Sequence, residues 1–131
     1  MIPFEAPLKT RPTLRIRQMA TTSGRGVLKE FLDPAARAGF RVRVAYLAAT
    51  KRECWTDQQF RSLGDGIWEI KWKSGKKQWR ALGFDYQEYF VVVRPCTHKG
   101  KVYDPHDCIA RAKALKTEVL NEKRTVIDYD F

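Results

Sequence analysis

The clearest pattern in the chain runs from Ile67 to Lys73, where large apolar and charged residues alternate without a break. Trp68, Ile70 and Trp72 fall on one side and Glu69, Lys71 and Lys73 on the other. A period of two is that of a β-strand with one face buried. Ser74-Gly75-Lys76-Lys77 supplies a turn, and residues 78–84 return with Trp79, Ala81 and Gly83 opposed to Arg80 and Leu82. In the register that sets Trp72 against Trp79, Lys71 faces Arg80 and Trp68 faces Gly83. Like charges placed opposite each other destabilise a sheet, and stacked tryptophans on the core side outweigh that repulsion. Residues 89–94 (YFVVVR) are then continuously apolar, as in an interior strand covered on both faces.

Upstream, residues 13–20 alternate Leu14, Ile16 and Gln18 against Arg15, Arg17 and Met19, which predicts a first strand with a basic side. A turn-forming stretch, TTSGRG, separates it from a region of helical period over residues 27–53, in which Val27, Phe31 and Leu32 precede Phe40, Val44 and Leu47. Asp33-Pro34 divides the two sets as an N-cap and a first-turn proline, so two helices are expected, the second ending near Lys51. A further short turn of helix is expected from Thr56 or Asp57, ending before the turn signal Leu63-Gly64-Asp65-Gly66. After a loop with Pro95, Gly100 and Pro105, a last helix carries Ile109, Ala112 and Leu115 on one side. Residues 1–12, with three prolines, read as an irregular arm, and residues 122–131 as a tail that forms an extra strand or none.

Composition narrows the class. The 131 residues are 44% hydrophobic and 12% aromatic, enough to exclude a wholly disordered chain and to build one core. Lysines and arginines number 25 against 15 aspartates and glutamates, a net charge of +10. That excess favours nucleic acid, an anionic membrane or an acidic protein as partner. No segment has the apolar length of a signal peptide or a membrane span, and three cysteines do not make a disulfide framework. A reduced, cytoplasmic protein is expected.

Two groups of residues suggest chemistry. Lys71 and Arg80, converging from neighbouring strands, suit a phosphate or an acidic chain laid over them. His98 is the side chain whose ordinary titration lies near neutral pH, which fits general acid–base work. The set Cys96-x-His98 and His106-x-Cys108 offers four soft ligands, but one-residue gaps do not match the usual zinc spacings. Buried, unreactive cysteines are the simpler expectation.

In order and spacing, Gly64-Asp65-Gly66, Trp68-Glu69-Ile70-Lys71, Trp79-Arg80, the basic loop at residues 98–101 and the proline-led last helix with Ile109 and Ala112 resemble the RelE/HigB-like toxins of bacterial type II toxin–antitoxin modules, phage-borne members included. The resemblance covers residues 27–120. It implies a single RelE-like domain of α+β class over 1–131: an N-terminal α-hairpin on a twisted, mainly antiparallel sheet of about four strands, with a C-terminal helix. It also implies an endoribonuclease that needs no metal or other cofactor and cuts mRNA in the ribosomal A site, inhibiting translation. Its partner would be a cognate antitoxin that wraps and blocks it.

Carried over, Lys71 and Arg80 stabilise phosphate charge, His98, Lys99 and Lys101 form the basic loop, and Tyr103 stacks on a base or shares a proton. Arg15, Arg17, Lys73 and Arg94 would hold the RNA backbone. Glu69 departs from members that carry a second lysine there, matches the Trp-Glu-hydrophobic-basic run of the HigB-like branch, and would orient Arg80. Two alternatives keep the fold: a ParE-like toxin directed at DNA gyrase, or a phage protein that only binds RNA or protein. The cationic cluster favours RNA, since a protein target does not require converging cations.

Overall fold

The structure, a computed structural model, describes residues 14–129. The expected arm, residues 1–12, lies outside them. In chain order the elements are β1 (Ile16–Met19), α1 (Val27–Phe31), α2 (Pro34–Ala48), a 3₁₀ turn (Arg52–Cys54), β2 (Phe60–Gly64), β3 (Ile67–Ser74), β4 (Lys77–Tyr86), β5 (Tyr89–Lys99), β6 (Val102–Asp104), α3 (Cys108–Leu120) and β7 (Val126–Asp128). The strands form one sheet in the order β2-β3-β4-β5-β1-β7, with β6 paired to β5. Among the described residues only β1 with β5 runs parallel; the other pairs are antiparallel. The class is therefore α+β, with a sheet wider than the four strands expected. The additions are β2, β6 and β7.

The largest local correction falls on β2. Thr56 does start a turn, its carbonyl accepting from the Phe60 amide at 2.9 Å. From Phe60 the chain extends and pairs with β3 instead of continuing as helix. Burial decides this: the Phe60 ring stacks on Trp68 at 4.8 Å and 10° and meets Trp55 edge-on. One helical turn would bury far less aromatic surface than this stack.

The β3–β4 register is the one the alternation predicts, with Trp72 opposite Trp79, Lys71 opposite Arg80 and Trp68 opposite Gly83. The two indoles lie nearly parallel, 13° apart, with centroids at 6.2 Å. The helix α2 covers this side. Asp33 caps it, accepting from the Ala36 amide at 2.7 Å, and Pro34 opens its first turn. Ala36, Phe40, Val44 and Leu47 form its buried stripe. Trp72 Nε1 donates to the Ala36 carbonyl at 3.0 Å. Gly39 makes the close approach possible: a Cβ there would sit 2.8 Å from Trp72 Cδ1.

The opposite side of the sheet is covered as well. Along α3, Cys108, Ala112, Leu115 and Val119 are buried, and the helix packs on β4 and β5. Alternation shows which residues share a side but not whether that side stays in water. No helix among the described residues is long and apolar enough to cross a membrane.

Candidate active site on the hairpin

Opposite residues of an antiparallel ladder share a face. Arg61 stands opposite Glu69, Lys71 opposite Arg80, Arg80 opposite Cys96, Gln78 opposite His98, and His98 opposite Tyr103. Four strand pairings therefore gather cations, a carboxylate, an imidazole and a phenol on the side away from the tryptophans. Of the residues expected at the site, Lys71, Arg80, His98, Tyr103 and Glu69 come together here.

Glu69 is fully buried, at 0% exposure. Its Oε2 accepts from Arg61, with Nε at 2.9 Å and Nη2 at 2.8 Å. The Tyr103 hydroxyl donates to Oε1 at 2.6 Å and accepts from Arg61 Nη2 at 3.2 Å. Arg80 Nε stands further off, 3.7 Å from Oε1. Burial, and then the bond to Glu69, push the Tyr103 phenol well above its ordinary range, so it holds its proton at neutral pH.

Arg80 is 6% exposed. Its Nη1 donates to the Trp79 carbonyl at 2.9 Å. Its Nη2 donates to Gln78 Oε1 at 3.1 Å and to His98 Nδ1 at 3.3 Å. A guanidinium can only donate, so Nδ1 is the acceptor and the proton of the neutral ring sits on Nε2. Burial and, next, the Arg80 charge pull the His98 pKa below the ordinary value, which keeps the ring neutral. The Tyr103 ring meets it edge-on at 4.6 Å. Lys71 is likewise lowered, by burial first and the Arg80 charge second, while its Nζ donates to the Asp57 carbonyl at 2.9 Å.

Beside these groups a cleft of about 240 Å³ opens at the end of β3, lined by Arg43, Gln58, Lys71, Trp72, Lys73, Gln78 and Arg80. Four of the seven are cationic and none is a carboxylate. Arg43 and Arg80 each have a buried Nε without a hydrogen-bond partner. Sequence reasoning missed Arg43 and Gln58, which come from α2 and a loop and carry no distinguishing pattern. Arg61 was missed because its segment was read as helical; opposite Glu69 in a strand pair, it would have been found.

The remaining expected residues lie elsewhere or at the margin. Lys73 lines the cleft, while Lys99 and Lys101 are exposed at the β5–β6 turn and do not line it. Arg94 lies over the Phe31 ring at 4.5 Å. Arg15 pairs with Glu88; Arg17 pairs with Asp128 at 2.8 Å and covers the Tyr89 ring at 4.3 Å. The first strand joins the sheet beyond β5, so neither Arg15 nor Arg17 reaches the Lys71 face. Cys96 and Cys108 are buried free thiols. Their mutual hydrogen bond, then burial, raise the Cys96 pKa far above the ordinary thiol range. His98 is turned to Arg80 and His106 is exposed, and among the described residues no three of His, Cys, Asp and Glu group as a metal site.

No family model matches the chain, and no curated protein or solved structure matches it.

Proposed function

We propose that the protein is an endoribonuclease that holds one phosphate of an RNA chain in the cleft at the end of β3 and cleaves beside it without a metal ion. In the manner of the RelE/HigB-like toxins its sequence resembles, it would act on mRNA in the ribosome and be silenced by a partner antitoxin. One observation carries the reading: four cations and no carboxylate line the cleft, with the nearly buried Arg80 guanidinium among them. Such donors, held in place before a ligand arrives, stabilise charge that develops on a phosphorane.

The chemistry follows from the protonation states. Lys71, whose pKa burial and the Arg80 charge draw below the ordinary lysine value, serves as the base for the proton of the ribose 2′-hydroxyl. The 2′-oxygen attacks phosphorus and the bond to the 5′-oxygen breaks, giving a 2′,3′-cyclic phosphate. Arg80, Arg43 and Lys73 neutralise the pentacoordinate phosphate. His98 donates a hydrogen bond from Nε2, the nitrogen not facing Arg80, to the leaving oxygen, which takes its proton from water. Tyr103 is committed to Glu69 and supports the site rather than exchanging protons.

The test is a translation reaction with purified ribosomes, a defined mRNA and the protein, followed by mapping of RNA ends. Cuts at ribosome-occupied codons are expected, at least ~100-fold fewer with Arg80→Ala, the scale of losing one oriented charge donor. Intact RNA with growth still arrested would replace this reading with a gyrase-directed or other protein-binding toxin. Intact RNA without arrest would leave an RNA- or protein-binding module.

A further inference from the structure

Glu69 and Arg80 are buried side by side, yet they are not closely paired. A fully buried carboxylate next to a buried guanidinium would ordinarily form a short, two-pronged contact. Here Arg80 Nε stays 3.7 Å from Oε1. Glu69 already has a counter-charge: Arg61 makes both its contacts to Oε2, and the Tyr103 hydroxyl bonds Oε1 at 2.6 Å. Arg80 is left to direct Nη2 toward Gln78 and His98, on the side of the cleft.

We infer that Arg61 is a positioning residue that compensates the Glu69 charge so that the Arg80 guanidinium faces the anion cleft instead of collapsing onto the carboxylate. This rests on the phosphate-binding reading of the cleft. The physical argument is one of compensation. A buried carboxylate that loses its counter-charge is strongly unfavourable and draws in the nearest cation able to move. Arg80 is that cation, and its Nε has no hydrogen-bond partner to hold it back. Arg61 never lines the cleft, so its effect on binding passes through Arg80. Tyr103 has the same role toward Oε1, and Arg61 Nη2 fixes the phenol in turn.

A crystal structure of Arg61→Ala tests this directly. Arg80 is expected to turn onto Glu69, with N···O closing to about 2.8 Å, and to leave His98. Arg61→Gln is solved beside it, because its amide fills the site without the charge; the same movement is expected. Binding of a fully 2′-O-methylated hexaribonucleotide, which cannot be cut through its 2′-oxygens, should weaken by about tenfold in Arg61→Ala. In Arg61→Ala/Glu69→Gln, affinity should return to within about threefold of the wild type, since neutralising Glu69 releases Arg80. Arg61→Lys, which keeps the charge, should bind nearly as the wild type does. Arg80 remaining on Gln78 and His98 in both folded Arg61 variants would overturn the inference. So would a double variant, folded by circular dichroism, that binds as poorly as Arg61→Ala. If the wild type itself fails to bind the hexaribonucleotide, the phosphate reading falls, while the place of Arg80 in the two crystal structures still decides whether Arg61 positions it.

Discussion

Replacing Glu69 by alanine should be one of the most damaging single changes on the charged face, although no apolar core residue is touched. Glu69 has no solvent exposure and receives short hydrogen bonds from Arg61 and Tyr103. Removing one member of a buried ionic group costs roughly 3–5 kcal/mol, because the partner charge is left without compensation. Two features of the structure set where in that range the cost falls. Arg61 keeps a 40% exposed side chain and can turn to water, which reduces the penalty. Arg80 is 6% exposed and cannot, and the lost side chain leaves a cavity beside it. A cost of about 3 kcal/mol follows. A domain of this kind has roughly 5–15 kcal/mol to lose, so the variant should fold but with reduced stability. Equilibrium urea unfolding followed by circular dichroism measures it. With an m-value of about 2 kcal/mol per molar, the midpoint should fall by about 1.5 M. Lys71→Ala is the control on the same face, its Nζ held by one carbonyl, and should cost no more than about 0.5 kcal/mol. If the Glu69→Ala midpoint lay within about 0.3 M of the wild type, the argument that Glu69 holds a buried cationic group together would be wrong.

Two further expectations concern local chemistry. Asp33→Ala removes the side-chain acceptor of the Ala36 amide and should cost about 1 kcal/mol, read as a lower urea midpoint with an unchanged m-value. A midpoint unmoved by the substitution would mean that Pro34 and packing alone set the start of α2. Proton NMR titration of His98 should give a pKa below the ordinary value of about 6.5, because burial and the Arg80 charge disfavour the imidazolium. The linkage sign follows. Below about pH 6.5 the unfolded chain binds a proton that the folded chain does not, so this residue's contribution, present above that pH, is lost as pH falls through the folded pKa. Arg80→Ala should raise the His98 pKa, and a titration at or above the ordinary value in the wild type would refute the assigned contact.

Much of the frame is decided over short distances. A strict alternation from Ile67 to Lys73, a compact turn and Trp79 on the return strand leave one register that puts all three tryptophans on the core side, so Lys71 must face Arg80. Asp33-Pro34 marks a helix start wherever it precedes a helical period, because a carboxylate cap and a proline lacking an amide hydrogen both suit the first turn. These are properties of neighbouring residues, and they were legible. The candidate site is different. Arg61 meets Glu69 only because Phe60 is drawn under Trp68, which turns an expected helical turn into β2. Tyr103 reaches the same carboxylate from 34 positions along the chain, and Arg43 enters the cleft from a helix on the other side of the sheet. The last helix, α3, docks on β4 and β5, and Arg15 and Arg17 are set apart by the parallel docking of β1 on β5. The period along the chain settles which side of a strand each residue occupies. What covers that side, and which distant charges meet there, depends on contacts that form only when the whole chain has packed.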